Sequence, residues 1–179
     1  MKAARSPRIS PEARLRAMDL WLLRHAAAQD AAPSGRDEDR ALTPQGVARA
    51  AAVSRGLALL APTIEVVLSS PYRRARETAE AAARALGVEG VIESSALEPG
   101  RTASEVLRQL SAAPWSRVLL VGHEPLLGSV VGLVVLGDES HAVPLRKAAL
   151  ARVTWNPGED GRLEALIPAK VLVTLTADR

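Results

Sequence analysis

Two of the three histidines stand where an apolar run stops. Leu20-Trp21-Leu22-Leu23 ends in Arg24-His25, and Arg117-Val118-Leu119-Leu120-Val121 ends in Gly122-His123. Another run, Ile64-Glu65-Val66-Val67-Leu68, ends in Ser69-Ser70-Pro71, with Arg73, Arg74 and Arg76 close behind. If these runs are strands of an open α/β sheet, their carboxyl ends gather at the edge where ligands bind in such folds. The pocket expected there holds two imidazoles and at least two guanidinium groups. Guanidinium pairs with phosphate oxygens in bidentate fashion. Helices starting after Ser70 and His123 would direct free N–H groups at the same anion. A histidine among arginines has its cation disfavoured, so it stays neutral and nucleophilic near neutral pH. Attack by that imidazole on a phosphoryl group would split one displacement into two easier ones, with the positive charge stabilising the transferring oxygens.

The elements that must position these residues are legible as an alternation. Residues 20–23 read as a buried strand. Thr43-Pro44 opens a helix, with Thr as N-cap and Pro at the first helical position. Its apolar face takes in Val47, Ala50, Val53, Leu57 and Leu60, and Pro62 ends it. Residues 64–68 form the next strand. The helix after Pro71 runs to about Leu86 and closes at Gly87. Residues 88–92 read as a weaker strand. Thr102-Ala103-Ser104-Glu105 has the form of a capping box. Residues 117–121 form a clear strand, and Pro125 opens a helix to about Leu136. Three further strands are expected over 149–155, 163–168 and 171–176. The fold class expected is α/β, a three-layer sandwich with a mostly parallel central sheet and helices on both faces.

Bulk composition sets limits on function. With 179 residues, 47% hydrophobic and 24% charged, the chain suits one soluble domain and not a disordered segment. The absence of cysteine excludes disulfides, thiolate metal sites and a cysteine nucleophile. No apolar run reaches the eighteen or so residues of a membrane span, and the basic start lacks the apolar stretch of a secretory signal. A cytoplasmic protein that engages no membrane is expected. Residues 1–18 carry +4 of the net +3, leaving −1 on the rest. Residues 1–17 therefore read as a basic extension, a tail or a miscalled start, ahead of a single domain over 18–179. A basic tail without interleaved aromatics or a binding motif does not predict a nucleic-acid partner. Three histidines without carboxylates at ligand spacing do not predict a metal, and no cofactor is expected. No Gly-x-Ser-x-Gly elbow or phosphate-binding glycine loop is present.

At the strand ends the sequence resembles the histidine phosphatase superfamily, branch 1, whose fold is phosphoglycerate mutase-like. Leu22-Leu23-Arg24-His25-Ala26-Ala27-Ala28 is similar to its opening motif, and Leu42-Thr43-Pro44-Gln45-Gly46 to its second. Residues Ser69 to Ala79 are similar to the third, and Val121-Gly122-His123-Glu124-Pro125-Leu126 to the fourth. The four occur in the family's order. A lone histidine at a strand end is more often structural, and it is the repetition with matching motifs that reverses that reading. The resemblance implies that His25 is the phosphorylated nucleophile, and that Arg24, Arg74 and His123 bind the phosphoryl group. It selects Arg74 over Arg73 and Arg76, because the family pattern is Ser-Pro, two variable residues, then Arg-Ala.

Departures from the family pattern narrow the reading. Ala26 replaces the usual glycine. The sugar-phosphate mutases of the family have Ser and Asn where this chain has Ala28 and Ala31, and a longer insertion before the fourth motif. The compact form resembles the SixA-type phosphohistidine phosphatases. The implied substrate is a phosphohistidine on a protein partner or a small phosphate ester, and the oligomeric state is left open. Many relatives carry a proton-donating carboxylate after the third strand, where Glu98 stands. SixA-like members often lack that acid, and a phosphohistidine leaving group can carry its own proton. Lys147 is placed as a possible substrate contact, while Arg73, Arg76, Arg101 and His141 read as solvated. The competing functions are a sugar-phosphate phosphatase or mutase of the same superfamily, and a phosphate-binding module without turnover. Intact Arg24, His25, Arg74 and His123 weigh against the module.

Overall fold

The computed structural model describes residues 17–61 and 63–176. The expected basic extension therefore lies outside the described residues apart from Ala17, as does Pro62, the expected helix stop. Six strands form one sheet: β1 Met18–Arg24, β2 Val66–Ser69, β3 Ile92–Glu93, β4 Arg117–Gly122, β5 Leu150–Trp155 and β6 Arg162–Ile167. Their spatial order is β3-β2-β4-β1-β5-β6. The first four pair in parallel, while β5 runs antiparallel to β1 and β6 antiparallel to β5. The sheet is thus mostly parallel, as expected, and β1 lies near its centre with its carboxyl end beside that of β4. The pairing of Arg24 with Gly122 puts His25 and His123 at the same height on neighbouring strands.

Helices cover both faces: α1 Pro44–Leu60, α2 Arg73–Leu86, α3 Ala103–Ser111, α4 Leu126–Leu136 and α5 Ala169–Thr174. Alternation along β1 and β4 divides the core. Leu20, Leu22, Val118 and Leu120 face the layer of α3 and α4, while Trp21, Leu23, Leu119 and Val121 face that of α1 and α2. All eight are essentially buried, which is why these strands read as continuous apolar runs.

The capping signals act as expected. The Thr43 hydroxyl accepts from the Gly46 amide at 2.9 Å, with Pro44 following. Thr102 and Glu105 form a reciprocal capping box, and Gly87 closes α2 at φ 68°.

Three expectations fail. Residues 171–176 are not a strand. Their β-branched valines favour strand by composition, but Pro168 and the packing of fully buried Leu172 against α1 turn the segment into the short helix α5. Gly56 makes that contact possible, because a Cβ there would lie 2.0 Å from the Leu172 carbonyl oxygen. The strand expected at 88–92 shrinks to Ile92–Glu93, since Gly90 takes a left-handed φ of 77° and interrupts the run. Val47 and Leu60 lie off the buried stripe of α1, at 53% and 39% exposure. Gly46, Ala50, Val53 and Leu57 form that stripe instead.

Candidate active site

His25 follows β1 directly, and its amide donates to the Gly122 carbonyl at 3.0 Å, tying it to β4. Its Nδ1 lies 2.7 Å from the Ala26 carbonyl oxygen. A carbonyl only accepts, so Nδ1 carries the proton and Nε2 presents its lone pair. Ala26, where the family usually has glycine, is buried, and its amide donates to Thr78 Oγ1 at 3.2 Å. That hydroxyl donates in turn to the Arg74 carbonyl at 2.8 Å, so one threonine of α2 links the first and third motifs.

His123 follows β4. Its ring lies 5.0 Å from that of His25 and edge-on to Tyr72 at 5.3 Å. Its Nε2 is 2.9 Å from the Ser70 hydroxyl at the end of β2. Arg74, in the first turn of α2, is buried and stands 5.0 Å over the Tyr72 ring. Arg24 donates from Nη1 to the Leu145 carbonyl at 2.8 Å. The Nε atoms of both arginines are buried without a hydrogen-bond partner among the described residues.

Both imidazoles are held neutral. Burial, then the charges of Arg74, Arg24 and Lys147, bring His25 down to about 4 against the opposing bond to Ala26. Burial, followed by the charges of His25 and Arg74, brings His123 down to about 3. At neutral pH the site therefore offers an unprotonated nitrogen nucleophile among permanent cations, which suits attack on an anionic phosphoryl group.

The structure gathers His25, His123, Arg24 and Arg74 at one edge of the sheet, and Lys147 lies near enough for its charge to act on His25. Arg73 and Arg76 are exposed and paired with Glu77 and Glu93. His141 is exposed and bonded to Asp138. Glu98 follows a 3-10 turn at Ser95–Leu97, and its carboxylate lies 3.8 Å from Arg101. Among the described residues it makes no hydrogen bond or ion pair with either site histidine, whereas a different carboxylate enters the site. Asp37, in a 3-10 turn at Asp37–Asp39, accepts from Arg74 Nη2 at 2.9 Å and pairs with Arg40 at 2.8 Å. Burial raises its pKa, but the bonds and charges of Arg74 and Arg40 outweigh this and hold its carboxyl below the usual carboxylate range. The sequence signal for it is slight: an Asp three residues before an Arg, just ahead of the second motif. Glu124 is a further addition. Burial raises its pKa, against the lowering effect of the Leu145 and Gly128 backbone N–H groups and the charge of Arg24.

The model of the histidine phosphatase superfamily (branch 1) matches residues 20–98. An uncharacterized protein of Picosynechococcus sp. is 35% identical over 136 residues, covering 74% of this chain and 82% of that protein. The protein histidine phosphatase SixA, solved with tungstate, superposes at TM-score 0.77 with 26% identity, covering 87% of this chain and 99% of that one. A protein from Agrobacterium tumefaciens assigned as phosphohistidine phosphatase SixA gives 0.70 at 26% identity, covering 84% and 97%.

Proposed function

The chain belongs to the histidine phosphatase superfamily (branch 1) and is a phosphatase of SixA-like form, and on that premise we propose that it works through a phosphohistidine formed on His25. The observation that carries this reading is the bond between His25 Nδ1 and the Ala26 carbonyl, which leaves Nε2 free beside His123 and among three cations. In the first step Nε2 forms a bond to phosphorus as the bond from phosphorus to the leaving atom breaks. Arg24, Arg74 and His123 hold the phosphoryl oxygens through that exchange. In the second step water attacks phosphorus, the N–P bond breaks, and orthophosphate leaves with His25 restored.

The substrate class is a protein phosphohistidine or a small phosphate ester. A phosphohistidine leaves as an imidazole that carries its own proton. An alkyl phosphate leaves as an alkoxide that needs one, and Glu98 is assigned to supply it. The test is phosphate release from a chromogenic phosphate monoester. Wild type releases phosphate and His25→Ala loses at least about a thousandfold in rate, whereas equal rates overturn the reading. Unchanged monoester turnover in Glu98→Gln removes Glu98 from its role while leaving His25 in place.

A further inference from the structure

A cavity of about 600 Å3 opens beside the nucleophile, with Ala27, two residues past His25, in its wall. Three elements send cations to it: Arg49 from α1, Arg146 and Lys147 from the loop before β5, and Lys170 from α5. No carboxylate lines it, and none of these four side chains is ion-paired or hydrogen-bonded among the described residues. A contrasting cavity at the far edge of the sheet balances Arg76 and Arg84 with Glu80 and Glu93.

The cationic walls are fixed against the site. Ala148 is buried, takes a left-handed φ of 57°, and directs its amide at the carbonyls of Arg24 (3.1 Å) and His25 (3.3 Å). That conformation is costly for a residue with a Cβ, and it sets where Arg146 and Lys147 stand relative to the nucleophile. On the opposite wall, Gly46 lets α1 approach the Ala27 carbonyl so closely that a Cβ would lie 2.0 Å from its oxygen. Converging like charges repel one another and favour an anion among them. The volume is that of a small-molecule site.

We propose that this cavity is a second anion subsite, and that the substrate is a small molecule bearing a further phosphate or carboxylate group beside the phosphoryl group that His25 attacks. The proposal rests on the catalytic reading above for the direction in which the substrate extends. Its test requires no turnover. Orthophosphate and tripolyphosphate are titrated calorimetrically into wild type, Arg49→Gln/Lys170→Gln and Arg49→Glu/Lys170→Glu, near 0.15 M ionic strength, where screening confines the effect to about 8 Å. Thermal melts verify that each variant is folded. Tripolyphosphate binds wild type at least about tenfold more tightly than orthophosphate. The glutamate pair removes most of that advantage and the glutamine pair part of it, with orthophosphate affinity kept within about twofold. Equal losses for both anions, or no loss for tripolyphosphate, overturn the subsite. A protein phosphohistidine domain that loses affinity in the variants while tripolyphosphate does not overturns the small-molecule assignment. Equal ester hydrolysis by wild type and His25→Ala would refute the catalytic reading while leaving this titration readable.

Discussion

Asp37 grips Arg74 from the solvent side: its Oδ2 accepts from Nη2 at 2.9 Å and its carbonyl from Nη1 at 2.8 Å. The Arg74 side chain is 5% exposed and that of Asp37 54%. A carboxylate on an exposed turn therefore holds the guanidinium atoms proposed to bind an incoming phosphoryl group. Orthophosphate carries more charge and more acceptor oxygens than a carboxylate, so it competes for the same fork. Asp37→Asn keeps the shape and removes the charge. The expected result is orthophosphate binding tightened by roughly three- to tenfold in a calorimetric titration. Weaker binding would instead make Asp37 a residue that orients Arg74.

Arg74 is buried and stacked over Tyr72, with its guanidinium fork held by Asp37. Lysine keeps the charge but loses the planar fork. Arg74→Lys is expected to lower kcat/KM for a phosphate monoester by about ten- to a hundredfold, with a smaller effect when Arg73 is replaced in the same way. Steady-state kinetics on the two variants check this.

The site histidines impose a pH dependence on stability. Their unfolded value is near 6.5, against about 4 for His25 and about 3 for His123 in the folded chain. Between those limits the unfolded chain binds protons that the folded chain refuses, so stability falls as pH drops below about 6.5. The urea midpoint of wild type should fall between about pH 7 and pH 4.5, and His25→Gln should flatten that fall. Equal slopes in the two proteins would contradict the neutral state assigned to His25.

The elements that carry the chemistry were legible because their signals are local or periodic. Buried parallel strands read as unbroken apolar runs, and Thr43-Pro44 and Thr102 with Glu105 mark helix starts through caps that need no tertiary context. The site followed because β1, β2 and β4 all end in polar residues at one edge of the sheet. Features set by packing were not legible. The segment at Val171 is helical because Leu172 buries itself on α1 beside Gly56. Asp37 enters the site because its loop folds back over α2, a contact 37 residues apart in sequence. The left-handed Ala148 has no sequence signature, since glycine is the residue that normally marks that conformation.

Gly46 links the fold to the segment after His25, the proposed nucleophile. Its missing Cβ admits the Ala27 carbonyl, and a methyl there forces α1 or the segment after His25 to shift. Gly46→Ala is expected to cost about 2 kcal/mol or more in stability and to lower kcat/KM beyond what the surviving folded fraction explains. Denaturant unfolding and kinetics on the folded protein separate the two effects.

The central claim, a phosphoryl group carried on His25, is tested most directly by trapping it. Enzyme is mixed with excess phosphate monoester, quenched in alkali to preserve the N–P bond, digested and analysed by mass spectrometry. The account predicts the added mass of one phosphoryl group on the peptide that contains His25, lost on acid treatment and absent in His25→Ala. Efficient turnover with no label on His25, or a label on another residue that survives in His25→Ala, would contradict it.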